Sequence, residues 1–364
     1  MGSAISVMKT VGSGSYDKQD VHFLLRKVDI EPTEVLEKER LIQSKQRHYS
    51  EMISQENAPS RVHKELYERA MLQNGERMAQ DVQALALALA TEFTGRSVVL
   101  VSFVRAGLPL GVLLRRALVG FGCEAYHYGI SIIRDRGIDS DALEAVIQDH
   151  GAESIVFVDG WTGKGAISAE IKRSLQGDSR FPADPRLVVL ADPCGRAWLS
   201  ASADDWVIPS GILGATVSGL VSRSIWPSSG GLHGCIVYDH LQAHDVTRAF
   251  VDKIDCLRLT VRGIEPATPW SNTQREMLQE ASRQVIHHIA ERFSISNLNR
   301  LKPGIAEATR AVLRRVPDHV LVGDKSDADV QLLIHLAEKA GVQVEEWGGS
   351  LGPYRAMTVI RSVS

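Results

Sequence analysis

Between residues 98 and 238 the chain alternates short apolar runs with segments of helical periodicity. The runs are rich in valine, isoleucine and leucine, which is typical of strands buried in a sheet. Helical segments between them supply the crossover connections that parallel strands need. The runs are SVVLVSF, EAYHYGISII, SIVFVD, RLVVLAD and GCIVYDH. This alternation predicts an α/β fold built on a parallel sheet.

The length of 364 residues is enough for one large hydrophobic core and a smaller one, so two domains are predicted. Residues 1–20 are rich in glycine and serine and are predicted to be a flexible lead-in. The larger domain is predicted over residues 21–262, with a helical N-terminal region that forms a hood. Prolines indicate a linker, so residues 263–299 are predicted to be linker and helix. Residues 300–364 form a small α/β unit.

Charge and apolar pattern exclude several classes of protein. Lys+Arg 41 against Asp+Glu 44 gives a formal net charge of −3, which argues against a protein that coats nucleic acid. No apolar run approaches the roughly 20 residues of a membrane span, and no signal peptide is recognisable. The four cysteines form no CxxC pair, so neither disulfides nor a zinc site are indicated. We predict a cytoplasmic protein whose oligomeric state is open.

The stretch SIVFVDGWTGKGAISAEI, residues 154–171, joins an apolar strand to a helix through an acid and a glycine-rich turn. Backbone N–H groups of residues 162–166 are predicted to form an anion site at the helix N-terminus. A Walker A loop is excluded because Gly165 stands where a hydroxyl belongs, and a dinucleotide fingerprint needs glycine in place of Ser168. The remaining alternative is a turn that serves only the strand-to-helix geometry.

A second loop, SFVRAGLPLG at residues 102–111, follows the first of these strands. Ala106 and Gly107 have minimal side chains, so their backbone N–H groups can approach a ligand closely. The guanidinium of Arg105 can take up anionic charge. The alternative is that Arg105 is a surface arginine at a strand-to-helix turn.

Together, and in this chain order, the two loops resemble the substrate loops of phosphoribosyltransferases. The resemblance implies a type I phosphoribosyltransferase-like sheet that binds phosphoribosyl pyrophosphate (PRPP) with Mg²⁺. Asp159 would bind the ribose hydroxyls and, through the ligand, the metal. The implied 5′-phosphate residues are Trp161, Thr162, Gly163, Lys164, Gly165 and Ala166. The implied pyrophosphate residues are Val104, Arg105, Ala106 and Gly107, with a cis peptide bond near Val104–Arg105. Gly160 replaces a second acid that most members of this family carry.

The segment YHYGISIIRDRGID stands where that family has a mobile loop. The resemblance implies that Arg134 and Arg136, beside a hinge at Gly137, close over the pyrophosphate and exclude water. A solvated charge run is the alternative for either arginine. The segment DPCGRA is predicted to line an acceptor pocket with Asp192, Cys194 and Arg196, although the sequence does not identify the acceptor.

Over essentially its whole length the chain resembles one phosphoribosyltransferase family that accompanies tellurium-resistance (Ter-type) stress genes. Members of that family are also labelled StiP cysteine proteases, and they carry a C-terminal Pelota-like RNA-binding domain. The resemblance lies in GSGSYDKQDVHFLLRKVDIEP, LIQSKQRHYSEM, VDGWTGKGAI and IPSGILGATVSGLVSRSI.

Residues 302–315, KPGIAEATRAVLRR, are similar to the RNA-contacting turn of the kink-turn-binding ribosomal-protein superfamily. Ala306 replaces an asparagine that contacts a base there. Basic side chains on this helix would contact phosphates. The alternative is a small α/β appendage that packs on the larger domain or on a partner. The implied RNA-binding residues are Gly304, Glu307, Thr309, Arg310 and Arg314.

These resemblances predict a phosphoribosyltransferase with RNA as a partner. Its catalytic residues would be Asp159, Arg105, Arg134 and Arg136. One alternative is a non-catalytic protein that binds PRPP or a nucleotide and associates with RNA. The other is a cysteine protease with Cys194 or Cys235 as nucleophile, although buried cysteines are most often small apolar side chains. Its candidate partner residues are His233, His240 and Asp239.

Overall fold

The computed structural model describes residues 3–227 and 229–363. They form a large domain with a six-stranded sheet and a C-terminal domain with a four-stranded sheet. The strands of the large domain are His22–Phe23 (β1), Arg26–Lys27 (β2), Val98–Phe103 (β3), Ala125–Ile130 (β4), Ile132–Ile133 (β5), Gly137–Ile138 (β6), Ile155–Val158 (β7), Leu187–Ala191 (β8), Leu199–Ser202 (β9) and Gly234–Cys235 (β10). Those of the C-terminal domain are Leu301–Pro303 (β11), Pro317–Val322 (β12), Gln343–Glu346 (β13) and Ala356–Ile360 (β14).

Helices cover the sheets of both domains. They are Val35–Gln43 (α1), Arg61–Glu92 (α2), Leu108–Gly120 (α3), Ser140–His150 (α4), Ala166–Ser174 (α5), Pro209–Ile212 (α6), Thr247–Thr260 (α7), Asn272–Arg292 (α8), Ile305–Arg314 (α9) and Gln331–Lys339 (α10). Within the described ranges, no helix combines the length and the apolar character that a bilayer crossing needs.

The large sheet has the order β1-β4-β3-β7-β8-β9, and each adjacent pair is parallel. Successive side chains of a strand point to opposite faces. Val98 and Leu100 accordingly pack in one core with α2, α3 and α7, whereas Val99 and Val101 pack in another with α4 and α5. Both faces are covered, which explains the largely apolar sequences of the central strands β3, β7 and β8. The predicted α/β class and parallel sheet are confirmed.

Two strand predictions need correction. Only the first two residues of GCIVYDH form a strand, β10, which pairs with β2 outside the large sheet. The last strand of the large sheet is instead β9, within a stretch that lacks clear periodicity. Its sequence LSAS is half polar because β9 lies at the sheet edge, with its last two residues partly exposed.

Residues 3–20 are not the flexible lead-in that the composition predicts. Tyr16 is 1% exposed and its ring contacts Phe23 edge to face. Asp20 Oδ2 lies 2.6 Å from Arg116 Nη2. A Cβ at Gly14 would lie 2.3 Å from the carbonyl oxygen of Gly219. Glycine here therefore permits close packing on the domain.

The C-terminal domain begins earlier than residue 300. Val285, Ile286 and Ile289 of α8 share a core with β11, β12 and β14, so this helix belongs to the domain and not to a linker. In the sheet, β14 lies between β11 and β12 and is antiparallel to both. Helices α9 and α10 share a core with large-domain residues such as Trp206 and Ile208. The two domains therefore have a buried interface.

Candidate ligand site between the two domains

The candidate site lies where the chain connections of the large sheet diverge. The chain crosses from β3 to β4 on one side and from β7 to β8 on the other, while β3 and β7 are neighbours. The loops that follow β3 and β7 therefore meet at the carboxyl edge of the sheet. Open α/β sheets bind ligands at such a point.

Glycines allow these two loops to touch. A Cβ at Gly107 would lie 2.2 Å from the Val158 carbonyl oxygen, and a Cβ at Gly160 would lie 3.0 Å from that of Ala106. The loop of residues 104–107 thus packs against the position where the phosphoribosyltransferase pattern has its second acid. The Val104–Arg105 peptide bond is cis, as the resemblance predicts.

The glycine-rich turn after β7 contains unpaired amides. Gly165 caps α5 with a φ of 81°, a left-handed conformation that favours glycine. The N–H groups of residues 163–166 have no protein acceptor within the described ranges. Thr162 differs, because its N–H donates to the Ala191 carbonyl at 2.9 Å and its hydroxyl donates to Asp192 Oδ1 at 2.5 Å. Thr162 therefore stabilises the turn itself.

A pocket of about 160 Å³ lies between this turn and the C-terminal domain, and we call it the interdomain pocket. Its large-domain lining includes Arg134, Asp159 and residues 161–168, and its C-terminal lining is residues 301–303 with Glu307. Lys302 is 8% exposed, and its ammonium group has no hydrogen-bond partner in the part of the chain that the structure describes. Burial lowers the pKa of Lys302 well below its usual value.

Two further groups complete the polar lining. Lys164 Nζ donates to the Leu298 carbonyl and, at 3.1 Å, to the Leu301 carbonyl. Asp159 is 8% exposed and its Oδ1 accepts the Gly160 N–H at 2.8 Å. Burial raises the pKa of Asp159 to about 7. Near neutral pH this carboxyl can therefore donate to or accept from a ligand hydroxyl.

Arg105 lies outside the interdomain pocket. Its Nη2 donates to Glu56 Oε2 at 2.6 Å and its Nη1 to the Val221 carbonyl at 3.0 Å. The guanidinium lines a separate cavity. Ala106 and Gly107 pack on the end of β7. The structure thus brings the two loops together but does not bring the Arg105 side chain into the pocket that Asp159 lines.

The two arginines of the predicted mobile loop have different surroundings. Arg134 lines the interdomain pocket, and its Nη1 donates to Asn299 Oδ1 at 3.2 Å. Arg136 pairs with Glu51 and its guanidinium carbon lies 4.6 Å from the Trp226 ring centroid. Only Arg134 of this pair lines the site.

The residues predicted to line an acceptor pocket instead make structural contacts within the protein. The Cys194 thiol donates to the Thr162 hydroxyl at 3.2 Å, and the Arg196 side chain packs on Gly165. Asp192 is fully buried, and its carboxylate accepts hydrogen bonds from Thr162, Arg196, Ala197 and Trp270. These four hydrogen bonds use all the lone pairs of the carboxylate. Asp192 therefore has no lone pair left to bind a substrate molecule.

The residues predicted to contact RNA face the large domain. Asp205 accepts the Ile305 N–H at 3.0 and 3.2 Å, so a carboxylate already occupies the N-terminus of α9. The Arg310 guanidinium carbon lies 4.5 Å from the centroid of the Trp161 ring. RNA could reach this surface only after the domains separate. The residues concerned are Gly304, Glu307, Thr309, Arg310 and Arg314.

The sequence does not predict the positions of Lys302, Glu56 and Asp205. Each contacts a segment far away in the chain, so no local pattern marks it. For Lys302 one signal exists, because it lies in the short strand just before the helix of the predicted RNA-binding turn.

Within residues 3–227 and 229–363, neither candidate cysteine nucleophile has a histidine partner. Cys194 is 1% exposed and Cys235 is fully buried. Burial raises the pKa of both thiols, that of Cys235 to about 12. His233 Nδ1 is instead 2.6 Å from Ser131 Oγ, and His240 Nε2 is 3.0 Å from a main-chain carbonyl oxygen. The thiolate is the nucleophile, so this arrangement activates neither cysteine. The third predicted partner, Asp239, lies at the surface near Lys27.

Within the described ranges, no group of three or more His, Cys, Asp or Glu side chains could hold a metal ion. Asp159 and Glu307 both line the interdomain pocket. A Mg²⁺ ion there would need oxygens of a ligand to complete its coordination. The use of Mg²⁺ stays a prediction.

Two family models match the chain. One, described as "Tellurite-like stress resistance cysteine protease StiP", matches residues 14–255. The other, described as "PELOTA RNA binding domain", matches residues 280–362. The second match begins inside α8, in agreement with the packing of that helix on the C-terminal sheet.

A curated relative from Acinetobacter baylyi, named Cysteine protease StiP, is 52% identical over 370 residues, which cover 98% of this chain and 96% of the relative. A solved hypoxanthine phosphoribosyltransferase from Trypanosoma cruzi, in complex with IMP, is 16% identical and has a TM-score of 0.25. That likeness covers 38% of this chain and 72% of the other. The score is too low to support an argument about the fold.

These comparisons correct the predicted activity. The names of the relative and of the first family model describe a cysteine protease, and neither refers to phosphoribosyl transfer. The prediction of a phosphoribosyltransferase that uses PRPP is therefore wrong. The resemblance to the tellurite-type stress family and to a Pelota-like domain is confirmed.

Proposed function

This chain belongs to the StiP family, and from that premise we propose that it is a stress-resistance protein that binds a phosphate-bearing ligand in the interdomain pocket. Lys302 carries the proposal, because its side chain is largely buried, its ammonium has no hydrogen-bond partner among the described residues, and it lines the same pocket as the amides of residues 163–166. Removing an ammonium group from water without an acceptor is costly. A phosphate dianion would offset that cost.

The other residues that line the interdomain pocket indicate the chemical class of the ligand. The amides lie at the N-terminus of α5, where negative charge is favourable. Asp159 and Glu307 would repel further anionic charge but could accept hydrogen bonds from hydroxyl groups. The pocket volume of about 160 Å³ suits a small molecule. These features favour a phosphorylated polyol.

Replacing Lys302 with methionine should weaken the binding of a sugar phosphate by about tenfold, because one charge-assisted contact is lost. The measurement is calorimetry of the full chain with ribose 5-phosphate, with inorganic phosphate as a second ligand. Lys253→Met, at an exposed site on α7, is the control and should bind as the wild type does. Equal affinities for the Lys302→Met and wild-type chains would remove Lys302 from the site.

The match of residues 280–362 to an RNA-binding domain indicates RNA as a partner of the C-terminal domain. We propose that α9 binds RNA in an open arrangement, in which Asp205 no longer occupies its N-terminus. The interdomain pocket exists only when α9 and β11 lie against the turn of residues 163–166. A ligand in the pocket would therefore favour the closed arrangement and oppose RNA binding, and RNA would oppose the ligand by the same factor.

Peptide hydrolysis is the second candidate, and the name of the Acinetobacter baylyi relative favours it. It requires a thiol that is reactive in the folded protein. Burial raises the pKa of Cys194 and Cys235, whereas Cys256 is exposed. Iodoacetamide should therefore label exposed Cys256 first and buried Cys194 and Cys235 much more slowly, read by mass spectrometry of the native chain.

A cysteine protease predicts the opposite order. Rapid labelling of Cys194 or Cys235, together with casein cleavage that Cys194→Ala or Cys235→Ala abolishes, would establish that activity. Cys256→Ala is the matched control, because an exposed thiol on α7 should not affect cleavage.

A further inference from the structure

A second cavity lies between α1 with residues 53–63, the loop that follows β3, and the α9–α10 side of the C-terminal domain. Its volume is about 320 Å³, and it shares no lining residue with the interdomain pocket. We call it the basic cavity, because its charged lining consists of Lys38, Arg105, Arg223, Arg314, Lys339 and Glu56, with His63 nearby. We propose that the basic cavity binds an organic anion that carries at least two negative charges on a small apolar body.

Cations outnumber acids in this lining. Glu56 Oε2 accepts from Arg105 at 2.6 Å and lies 3.6 Å from Arg314 Nη2. Among the described residues, Lys38 Nζ has only the hydroxyl of Ser54 as acceptor, at 2.5 Å. Arg223 donates to main-chain carbonyls, among them that of Tyr49 at 2.6 Å. One acid therefore faces two buried cations and two partly buried ones, and a dianion would supply the missing charge.

One lining group has no partner. Arg105 is 5% exposed, and its Nε is buried without a hydrogen bond in the part of the chain that the structure describes. The other two guanidinium nitrogens are used by Glu56 and the Val221 carbonyl. A buried N–H without an acceptor is destabilising. Arg105 therefore lines the cavity with a guanidinium whose hydrogen-bonding capacity is not fully used.

Apolar side chains form much of the remaining wall. They are Val35, Ile53, Leu213, Leu313 and Leu336, together with the ring of Tyr238. Such a wall favours a ligand with an apolar surface to bury, as in most small-molecule sites. An inorganic ion would leave it without a partner. The lining therefore favours a ligand that has both an apolar surface and negative charge.

The lowered pKa of Lys38 is consistent with an excess of positive charge around the basic cavity. Burial, followed by the charges of Arg223, Arg315 and Arg314, lowers the pKa of Lys38 to about 7. Burial and then Arg105 lower the pKa of Arg314 to about 9. The neighbouring acid Glu39 pairs with Arg315. The other titratable groups that face the cavity are Glu56, His63, Tyr238 and Lys339.

The test uses naphthalene-1,5-disulfonate, whose charges do not change between pH 6 and 8.5. Calorimetry of the full chain at pH 6.5 should give an affinity at least about tenfold higher for this dianion than for naphthalene-1-sulfonate. Binding should weaken as the pH rises through about 7, because deprotonated Lys38 no longer attracts the anion. Lys38→Met should lower the affinity by about tenfold and remove that pH dependence.

Opposite charge changes make the test decisive. Arg314→Met should weaken binding, whereas Glu56→Gln should tighten it. Lys302→Met should leave it unchanged, which separates this result from the proposed phosphate site. Equal binding of the two sulfonates, or wild-type affinity in the Arg314→Met chain, would overturn the proposal even if Lys38→Met did not fold.

Discussion

Replacing Gly107 with alanine should lower the free energy of unfolding by about 3 kcal/mol. The added Cβ would lie 2.2 Å from the carbonyl oxygen and 2.8 Å from the carbonyl carbon of Val158. Val158 ends β7, which pairs with β3 on one side and β8 on the other. Neither main-chain atom can move without disturbing a central strand. Chemical denaturation, followed by circular dichroism, measures the loss as a lower midpoint.

Gly349→Ala is the matched control for this substitution. A Cβ at Gly349 would meet no atom within 4 Å, and its φ is not positive. The change in unfolding free energy should stay within about 0.5 kcal/mol. An unchanged midpoint for Gly107→Ala would mean that the loop of residues 104–107 does not pack on β7, and the description of the site would fail with it.

The central strands could be predicted because their signal is local. Residues 98–101 and 187–191 are continuously apolar, as burial on both sheet faces requires. The edge strand β9 gives no such signal, because half of it is partly exposed. The apolar sequence after Cys235 is not a strand of the large sheet, and its burial comes from packing with the segment around Leu220. Apolar sequence alone does not distinguish these two forms of burial.

In the candidate site too, some features follow from a local sequence pattern and others depend on contacts between distant segments. The Asp159 turn is contiguous in sequence, so its strand, glycines and helix could be predicted together. The pairing of Arg105 with Glu56 joins residues 49 positions apart, and Lys302 approaches the turn from the other domain. No sequence pattern reports such contacts. The motifs could not identify the reaction for a further reason. A loop that suits phosphate is compatible with many activities, and a fold does not define a single activity.

Replacing Asp205 with alanine should raise the affinity of the full chain for RNA by about tenfold or more. Asp205 accepts the Ile305 N–H at 3.0 and 3.2 Å and the Arg355 N–H at 2.9 Å. The carboxylate thus holds the C-terminal domain on the large domain and occupies the end of α9 where RNA phosphate would be favourable. Without it, the buried N–H of Ile305 and the partly buried N–H of Arg355 lose their acceptor, so the closed arrangement becomes less stable relative to the open one.

Fluorescence anisotropy with a labelled kink-turn RNA measures this change, with a plain RNA duplex as the comparison. Asp205→Asn should give a smaller gain, because its amide retains one acceptor oxygen. Asp324→Ala, at an exposed position of the C-terminal domain, should bind RNA as the wild type does. Adding Arg310→Met to Asp205→Ala should reverse the gain if α9 contacts the RNA, because that arginine leaves Trp161 only when the domains part. Equal RNA binding by the wild type and Asp205→Ala would show instead that RNA uses a surface away from α9, since only a surface outside the interface is indifferent to its opening.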